Sequence, residues 1–495
     1  MSSQPPSGGP SVSTPTSAEV RPWPALFALV IGFFMILIDL TIVTVATPTI
    51  TTELHAGVNQ VIWVSSAYIL AYAVPVLIMG RLGDRFGPKR LYLAGLTVFT
   101  LSSLWCGLTG TIEMLILARV VQGIGASMMT PQTMAIITRI FPPATRGRAM
   151  SVWGATAGVA MVVGPLLGGV LTDAFGWEWI FFINIPIGIV AFVMAVRLVP
   201  SLPTNEHRFD WIGVLLVGIG LFLLAFGVQQ GEQEDWAGWI IAMIVGGVVV
   251  LALFVGWQAI NKAEPLVPLG LFKDRNFSVS AAAIAVMGVV SSSFGFPIML
   301  YAQAVRGDSP TQAALLMVPM AIMSILLANT VGKLTDRLHP RLIVGVGFAC
   351  NIVGFTALAL QMQPGVAVWR IAVAMVVVGV GNALIWAPTG ATANRNLPLS
   401  LAGAGAGVYN ASRQVGAVIG SAAIAMLIDA RLTHYLPGAG TQSEAGATQI
   451  GNAHVAQLFS DAMRDAALLP AAICVVGLIA VLFYEAPKHQ GFGKA

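Results

Sequence analysis

Two phrases of the sequence, GRLGDRFGPKR at Gly80–Arg90 and GKLTDRLHPRL at Gly332–Leu342, set the frame for everything around them. Counted from Gly80 to Gly332 they lie 252 positions apart. Gly80, Leu82, Asp84, Arg85 and Pro88 match Gly332, Leu334, Asp336, Arg337 and Pro340, while Arg81 and Lys89 become Lys333 and Arg341. The phrases stand out because charge is scarce. Only 9% of the 495 residues are charged and 57% are hydrophobic, whereas a water-facing surface normally needs about 25% charged residues. The composition therefore implies an all-α polytopic membrane protein surrounded by a lipid bilayer. The net charge of +4 does not argue for a nucleic-acid partner, because the basic residues fall in short loops between apolar runs, where they act as topology signals.

Residues 1–22 read as a disordered Ser/Pro/Thr/Gly-rich tail, with no apolar face to bury. Apolar runs long enough to cross a bilayer fall near 24–46, 60–80, 91–110, 114–138, 149–171, 179–199, 211–230, 237–258, 277–301, 311–332, 342–361, 370–391, 404–428 and 465–484, fourteen in all. An even number places both termini on one side. Of the 25 Lys and Arg residues, two (Arg119 and Arg413) lie inside spans and four (Arg306, Arg370, Arg431 and Arg464) on one face, which leaves nineteen for the other. By the positive-inside rule the nineteen-charge face is cytoplasmic, as expected of a multi-pass plasma-membrane protein. Its one long outside loop, 429–464, is polar and Gly-rich.

Each copy of the repeated phrase follows the second helix of a run of six, which implies two related six-helix halves. Six spans with short loops need roughly 180–200 residues, so the 252-residue offset leaves room for two more helices between the halves. The expected layout is a cytoplasmic tail at 1–22, a first bundle at 23–200 and two linking helices at 201–264. A second bundle at 265–487, containing the outside loop 429–464, and a tail at 488–495 complete it.

The pattern G-x-L-x-D-R-x-G-x-[KR]-[KR] resembles the loop motif of the major facilitator superfamily, and the fourteen-span layout resembles its drug:proton antiporter branch. The resemblance covers about Arg21 to Pro487. It implies a bacterial exporter of antibiotics, dyes or quaternary ammonium compounds, working by alternating access on a proton gradient, with no cofactor and as a monomer. It also implies a gate role for Asp84 with Gly80, Gly83, Arg85, Gly87 and Arg90, latching the halves against a helix end or basic residue of the other half. Asp336 and Arg337 form the second copy.

Asp39 is the only acidic residue inside any span. A carboxylate in hydrocarbon is costly unless protonated, paired or facing water, so Asp39 reads as a proton carrier; the competing reading is a helix-end carboxylate snorkelling to the outer surface. It sits in a stretch similar to the branch's first-helix motif D-x-T-x-V-N-V-A-x-P, with Thr44 in place of Asn. Arg119 falls at a similar depth on an oppositely directed helix, which allows a charge pair. The other possibility is a structural Arg satisfied by carbonyl groups. Arg119, Gly123 and Gly125 resemble the family's R-x-x-x-G-x-G proton-transfer motif, and Gln122 lies one turn away.

On the fifth span, Gly154 and Gly158, then Gly164 and Gly168, recur at i,i+4, and Pro165 permits a bend. Ordinary helix packing explains such spacing, but GPLLGG, ending in Gly168 and Gly169, is similar to the motif that marks antiporters. Asn410, Arg413 and Gln414 resemble a thirteenth-helix pattern and share one side of a helix, facing either a central cavity or a neighbouring helix. Trp63 and Tyr68 match W-x-x-x-x-Y, with an interfacial anchor as the other role for Trp63. Phe294, Met299, Tyr301 and Trp386 are candidates for an aromatic and Met-lined pocket, against plain core or lipid-facing packing.

There is no phosphate-binding G-x-x-x-x-G-K-[ST] loop, no H-E-x-x-H, and no span contains a histidine, so the sequence points to neither an ATP-driven pump, a metal site nor an enzyme. The three cysteines fall in apolar runs and imply no disulfide framework. No second-half span carries a carboxylate away from its ends; relatives that export dications often use an extra membrane carboxylate, so the resemblance implies monovalent cationic, zwitterionic or neutral lipophiles over dications. An exporter of lipids or of an endogenous metabolite is the alternative on the same fold.

Overall fold

A computed structural model describes residues 21–56, 58–204, 210–231, 234, 236–261, 265–398, 401–436 and 453–485. The tails expected at 1–22 and 488–495 lie outside these, apart from Arg21 and Pro22, as do the side chains of Thr44, Val45 and Pro48 within the first helix. The described residues contain helices and no strand. In lipid, where no water pairs with exposed peptide groups, a helix satisfies its own backbone.

The first expected bundle comprises α1 (Pro22–Glu53), α2 (Val58–Ala73), α3 (Val76–Phe86), α4 (Pro88–Leu108), α5 (Ile112–Ile140), α6 (Pro143–Phe175), α7 (Trp179–Phe182) and α8 (Asn184–Leu198). Next come α9 (Trp211–Gln230) and α10 (Gly238–Ile260). The remainder are α11 (Arg275–Ser293), α12 (Gly295–Leu300), α13 (Pro310–Leu315), α14 (Val318–Arg337), α15 (Pro340–Leu360), α16 (Val368–Ala393), α17 (Ala402–Tyr435), α18 (Ala453–Ala467) and α19 (Leu469–Val481). Several starts are written in the sequence: proline at the first or second position of α1, α4, α6, α14, α15 and α19 removes an N–H that would have no helical partner.

Thirteen stretches are long and apolar enough to cross a membrane, and fourteen if one broken pair counts as a single span. That pair lies over the span expected near 60–80 and breaks it in two. α2 and α3 are bent by 45° around Val74 and Pro75, where proline cannot donate to the preceding turn. The span expected at 277–301 is also interrupted: α11 stops at Ser293, and a π-helical turn, Tyr301–Val305, follows α12. The outside loop expected at 429–464 is corrected more strongly. α17 continues to Tyr435 and α18 begins at Ala453, because Ala456, Phe459, Met463 and Ala466 recur at helical spacing and are buried together. Residues 437–452 of that loop lie outside the described residues.

α1 packs on α6 and α8, α4 on α5, and α2 on α5; farther along, α11 packs on α17 and α19, and α15 and α14 pack on α16. The two groups meet where α3 and α5 touch α17 and where α6 touches α14 and α16. α9 and α10 pair mainly with each other, with α9 resting on α2 and α17. Their bases are tied by Asp210, which accepts from Gly213 N–H at 2.9 Å, Trp257 Nε1 at 2.9 Å, Gln258 Nε2 at 2.8 Å and Leu266 N–H at 3.2 Å. Partial burial pushes the Asp210 carboxyl up, but these four donors outweigh it and hold it below the ordinary carboxylate value.

Close helix contacts rest on particular glycines. A Cβ added at Gly123 would lie 2.5 Å from the Tyr68 carbonyl oxygen, and one added at Gly288 would collide with the Arg413 carbonyl oxygen. Backbone cannot yield as a side-chain tip does. We expect Gly123→Ala and Gly288→Ala each to destabilise the folded protein by roughly 1–3 kcal/mol, read as a lowered melting temperature in detergent. An unchanged value would show that α2–α5 and α11–α17 are more loosely seated than described.

Candidate functional site

Asp39 lies within α1 and is fully buried. Three side chains converge on it. Arg119 on α5 forms an ion pair from Nη1 to Asp39 Oδ2. Gln122, one turn on, donates from Nε2 to Oδ1 at 2.9 Å. Asn184, the first residue of α8, donates from Nδ2 to Oδ1 at 3.3 Å. Arg119 is held in turn by the Val64 carbonyl at 3.1 Å and by Gln122 Oε1 at 2.8 Å, with its guanidinium 4.1 Å from the centre of the Tyr68 ring. Asn184 also donates to Ser103 Oγ at 3.0 Å, and Ser103 donates to the Phe181 carbonyl at 3.0 Å. A buried ion pair is tolerated when further hydrogen bonds serve its remaining lone pairs and protons, as they do here for Asp39 Oδ1 and for Arg119 Nε and Nη1.

The sequence placed Asp39 and Arg119 at one depth, and the structure joins them. It moves two residues out of the expected substrate cavity: Gln122 and Tyr68 belong to the ion-pair cluster. Asn184 and Ser103 were missed. The signal for Asn184 was present, a carboxamide inside the apolar run FFINIPIGIV.

At the basic end of the molecule the repeated phrases make two related contacts. Asp84, buried at the end of α3, accepts from the N–H groups of Gly403 at 3.2 Å and Ala404 at 3.0 Å at the start of α17, and from Arg139 Nη2 at 2.7 Å. A carboxylate at a helix N-terminus meets unpaired donors and the positive end of the dipole. Asp336, at the end of α14, accepts from the Gly147 N–H at 3.0 Å near the start of α6. The glycines make room for this. A Cβ at Gly80 would lie 2.7 Å from the Gly403 carbonyl oxygen, and one at Gly83 would collide with Gln132. Gly87 joins α3 to α4 at φ +95°, a left-handed value that glycine adopts without strain. Arg146 adds cross-ties to the Asn394 carbonyl at 3.2 Å and the Thr138 carbonyl at 2.8 Å. Arg85, Arg90 and Arg337 are exposed and take no part in the contacts; the helix end that Asp84 meets is the start of α17, while its basic partner, Arg139, comes from α5 of its own group.

Between the two groups lies a cavity of about 50 Å³, lined by α6, α11, α14, α15 and α16. Gly154, Gly158, Phe294 and Trp386 line it as expected, with Asn382, Ser291 and Ser324 among its polar members and no charged side chain. Gly164 faces the other way, its α-carbon against Thr41 of α1, so the glycines of α6 serve two interfaces. Pro165 lies inside that helix, and Gly168 and Gly169 are buried. The other candidates fall elsewhere. Trp63 packs 5.5 Å from Phe226 of α9, Met299 packs against the core, and Tyr301 donates to the Gln363 carbonyl at 2.6 Å. Asn410 donates to the Ala406 carbonyl at 2.9 Å, Gln414 lines a smaller crevice between α2, α9 and α17, and Arg413 donates to Tyr72 Oη at 3.1 Å. No cluster of metal-ligating residues occurs among the described residues.

A many-helix membrane protein with a buried ion pair in one group and an uncharged cavity between two groups has the form of a transporter. The sequence matches the family model of the Major Facilitator Superfamily over residues 29–421, and the chain belongs to that superfamily: it is an integral membrane transporter, not an enzyme. It is 50% identical over 470 residues to an uncharacterized MFS-type transporter of Mycobacterium tuberculosis, covering 94% of this chain and 81% of that one. It is 30% identical over 468 residues to the tetracenomycin C resistance and export protein of Streptomyces glaucescens, covering 92% and 85%. Its fold is similar to that of the proton:xylose symporter XylE, with a TM-score of 0.61 at 12% identity over 92% of this chain and 94% of that one.

Asp84→Asn keeps the shape of the side chain and removes the charge that faces Arg139 and the start of α17. With a charge-assisted contact of this kind lost, turnover in a transport assay is expected to fall about tenfold or more, while membrane insertion, read by a fluorescent fusion, is unchanged. Wild-type turnover would return the phrase to a topology signal alone.

Proposed function

We propose that this transporter is a proton-coupled antiporter that exports amphipathic drugs or antibiotics across the plasma membrane, with both termini cytoplasmic. The bundles at 23–200 and 265–487 rock about the cavity between them, and 201–264 links them. The observation that carries the reading is the Asp39–Arg119 pair, fully buried and sealed by Gln122 and Asn184. It holds the only carboxylate lying away from the ends of an expected span, so a proton arriving there cancels the buried countercharge to Arg119. Removing one partner's charge from a buried pair costs about 3–5 kcal/mol. A proton crossing a potential of about 150 mV releases ~3.5 kcal/mol, which is of the same order. The export named for the tetracenomycin C relative supports the outward direction.

Asp84 and Asp336, with the helix starts they bind, serve in this reading as the cytoplasmic gate. The GPLLGG segment at Gly164–Gly169 keeps α6 close to α1. The cavity residues Gly154, Gly158, Phe294 and Trp386 receive the compound.

In inverted membrane vesicles, wild type should accumulate an amphipathic dye against its gradient when a proton gradient is imposed, with matched proton flux. Asp39→Asn should reduce uphill accumulation to background and leave protein level intact. Retained uphill, proton-dependent movement in that variant would remove Asp39 from the coupling role.

A further inference from the structure

Arg413 is, with Arg119, one of the two cations lying away from the ends of the expected spans, and its electrostatic situation is the opposite of Arg119's. Arg119 is paired with Asp39; Arg413 has one hydrogen bond, from Nη2 to the neutral Tyr72 Oη at 3.1 Å. Tyr72 in turn donates to Thr130 Oγ1 at 3.1 Å, so the tether is uncharged throughout. The side chain is partly buried, and its Nε and Nη1 are not among the buried unpartnered atoms of the described residues. Those donors therefore face open space.

Among the described residues, the elements packed on α17 offer no uncommitted counter-charge. α2, α9, α11 and α16 contain no Asp or Glu, and the two acids of α18, Asp461 and Asp465, are both paired with Arg464. On α5 the only acid is Glu113, in the first turn, held by Gln60 at 3.2 Å. Asp84 of α3 is committed to Arg139 and the start of α17, and Asp39 of α1 to Arg119. On α17 itself the only acid is Asp429, four turns beyond Arg413. A cation at membrane depth without a protein partner is costly, and an Arg fork with open donors matches a carboxylate or similar anion. Its position, on α17 where that helix meets α2 and α5 of the other group, puts it on the seam that must part in alternating access.

Building on the exporter reading, we propose that Arg413, oriented by Tyr72, is the recognition point for an anionic group carried by the transported amphipath. The substrate class is thereby an amphipathic organic acid or a zwitterion whose acid group meets Arg413, which keeps the zwitterions of the range drawn from the sequence and puts organic acids in place of its cationic and neutral members. The same anion chemistry occurs in lipid phosphates, so the test separates the two sources.

The full-length protein in phosphatidylcholine nanodiscs is titrated with dansyl-undecanoic acid and with its methyl ester, with empty nanodiscs subtracted. We expect the acid to bind about tenfold or more tighter than the ester. That preference should collapse toward unity in Arg413→Gln and survive in Arg413→Lys. Equal binding of acid and ester to wild type, or an undiminished preference in Arg413→Gln, overturns the proposal. Loss of the preference on adding phosphatidylglycerol at a few mole per cent assigns the site to a lipid headgroup and also overturns it. Binding is read without transport, so a preserved preference with no proton-driven flux of any compound sinks the exporter reading instead. Proton-driven flux without the preference sinks only this assignment.

Discussion

A carboxylate and a guanidinium removed from water together lose several kcal/mol of solvation each, and their mutual attraction repays this only when every leftover donor and acceptor is matched. Asp39 and Arg119 come close to that condition through residues drawn from three helices besides α1: Gln122 on α5 itself, Val64 and the Tyr68 ring on α2, and Asn184 on α8. The pair therefore fixes how α1, α2, α5 and α8 sit together. The small residues around it follow from the same demand, since Gly123 lets α5 approach the α2 backbone closely enough for Arg119 to reach both Val64 and Asp39. Protonating Asp39 would leave Arg119 with the Val64 carbonyl, Gln122 Oε1 and the Tyr68 face. The guanidinium keeps neutral partners while it loses its charged one, so the cluster can change charge without falling apart.

The contacts at the basic end obey a different rule, in which carboxylates on one group bind helix starts on the other. Asp84 reaches α17 and Asp336 reaches α6, so each copy of the repeated phrase crosses to the opposite group. Two related contacts give a seam whose strength depends on backbone N–H groups and on glycines that let the helices approach. Such a seam forms or breaks as a unit, because backing either helix away by an ångström loses the hydrogen bonds on that side together.

Much of this was legible in the sequence because it rests on rarity and on spacing. One carboxylate and two cations inside apolar spans are conspicuous, and the repeat carries its own alignment. What stayed hidden was lateral position. Depth along a helix can be counted at 1.5 Å per residue, but nothing in a single sequence says which way Tyr68 or Gln122 points, and both turned toward Asp39 rather than the cavity. The polar, Gly-rich character of 429–464 also misled at α18. Asp461 and Arg464 fall in that expected loop, whereas with Asp465 they pair with one another on the polar side of a helix whose other side is buried. Pro75 was visible, but the continuous apolar window around it concealed that α2 and α3 are two helices.

The two additional helices gain a mechanical connection from the same polar bookkeeping of backbone groups. Asp210 holds the Leu266 N–H, while the Leu266 carbonyl accepts from Arg81 Nε at 3.1 Å, and the Pro265 carbonyl accepts from Arg81 Nη2. One peptide segment is thus gripped on one side by the base of α9 and α10 and on the other by the helix that carries Asp84. Arg81 is where the first phrase and the inserted pair meet, which is why the segment after α10 is joined to the helix that carries Asp84 and not merely threaded past it. Any movement of α3 away from α17 must either stretch these bonds or carry the base of α9 and α10 along. The second phrase has Lys333, which is exposed, at the matching position, so of the two copies it is the first whose Arg81 holds the 265–266 backbone that leads from α9 and α10 into the second group.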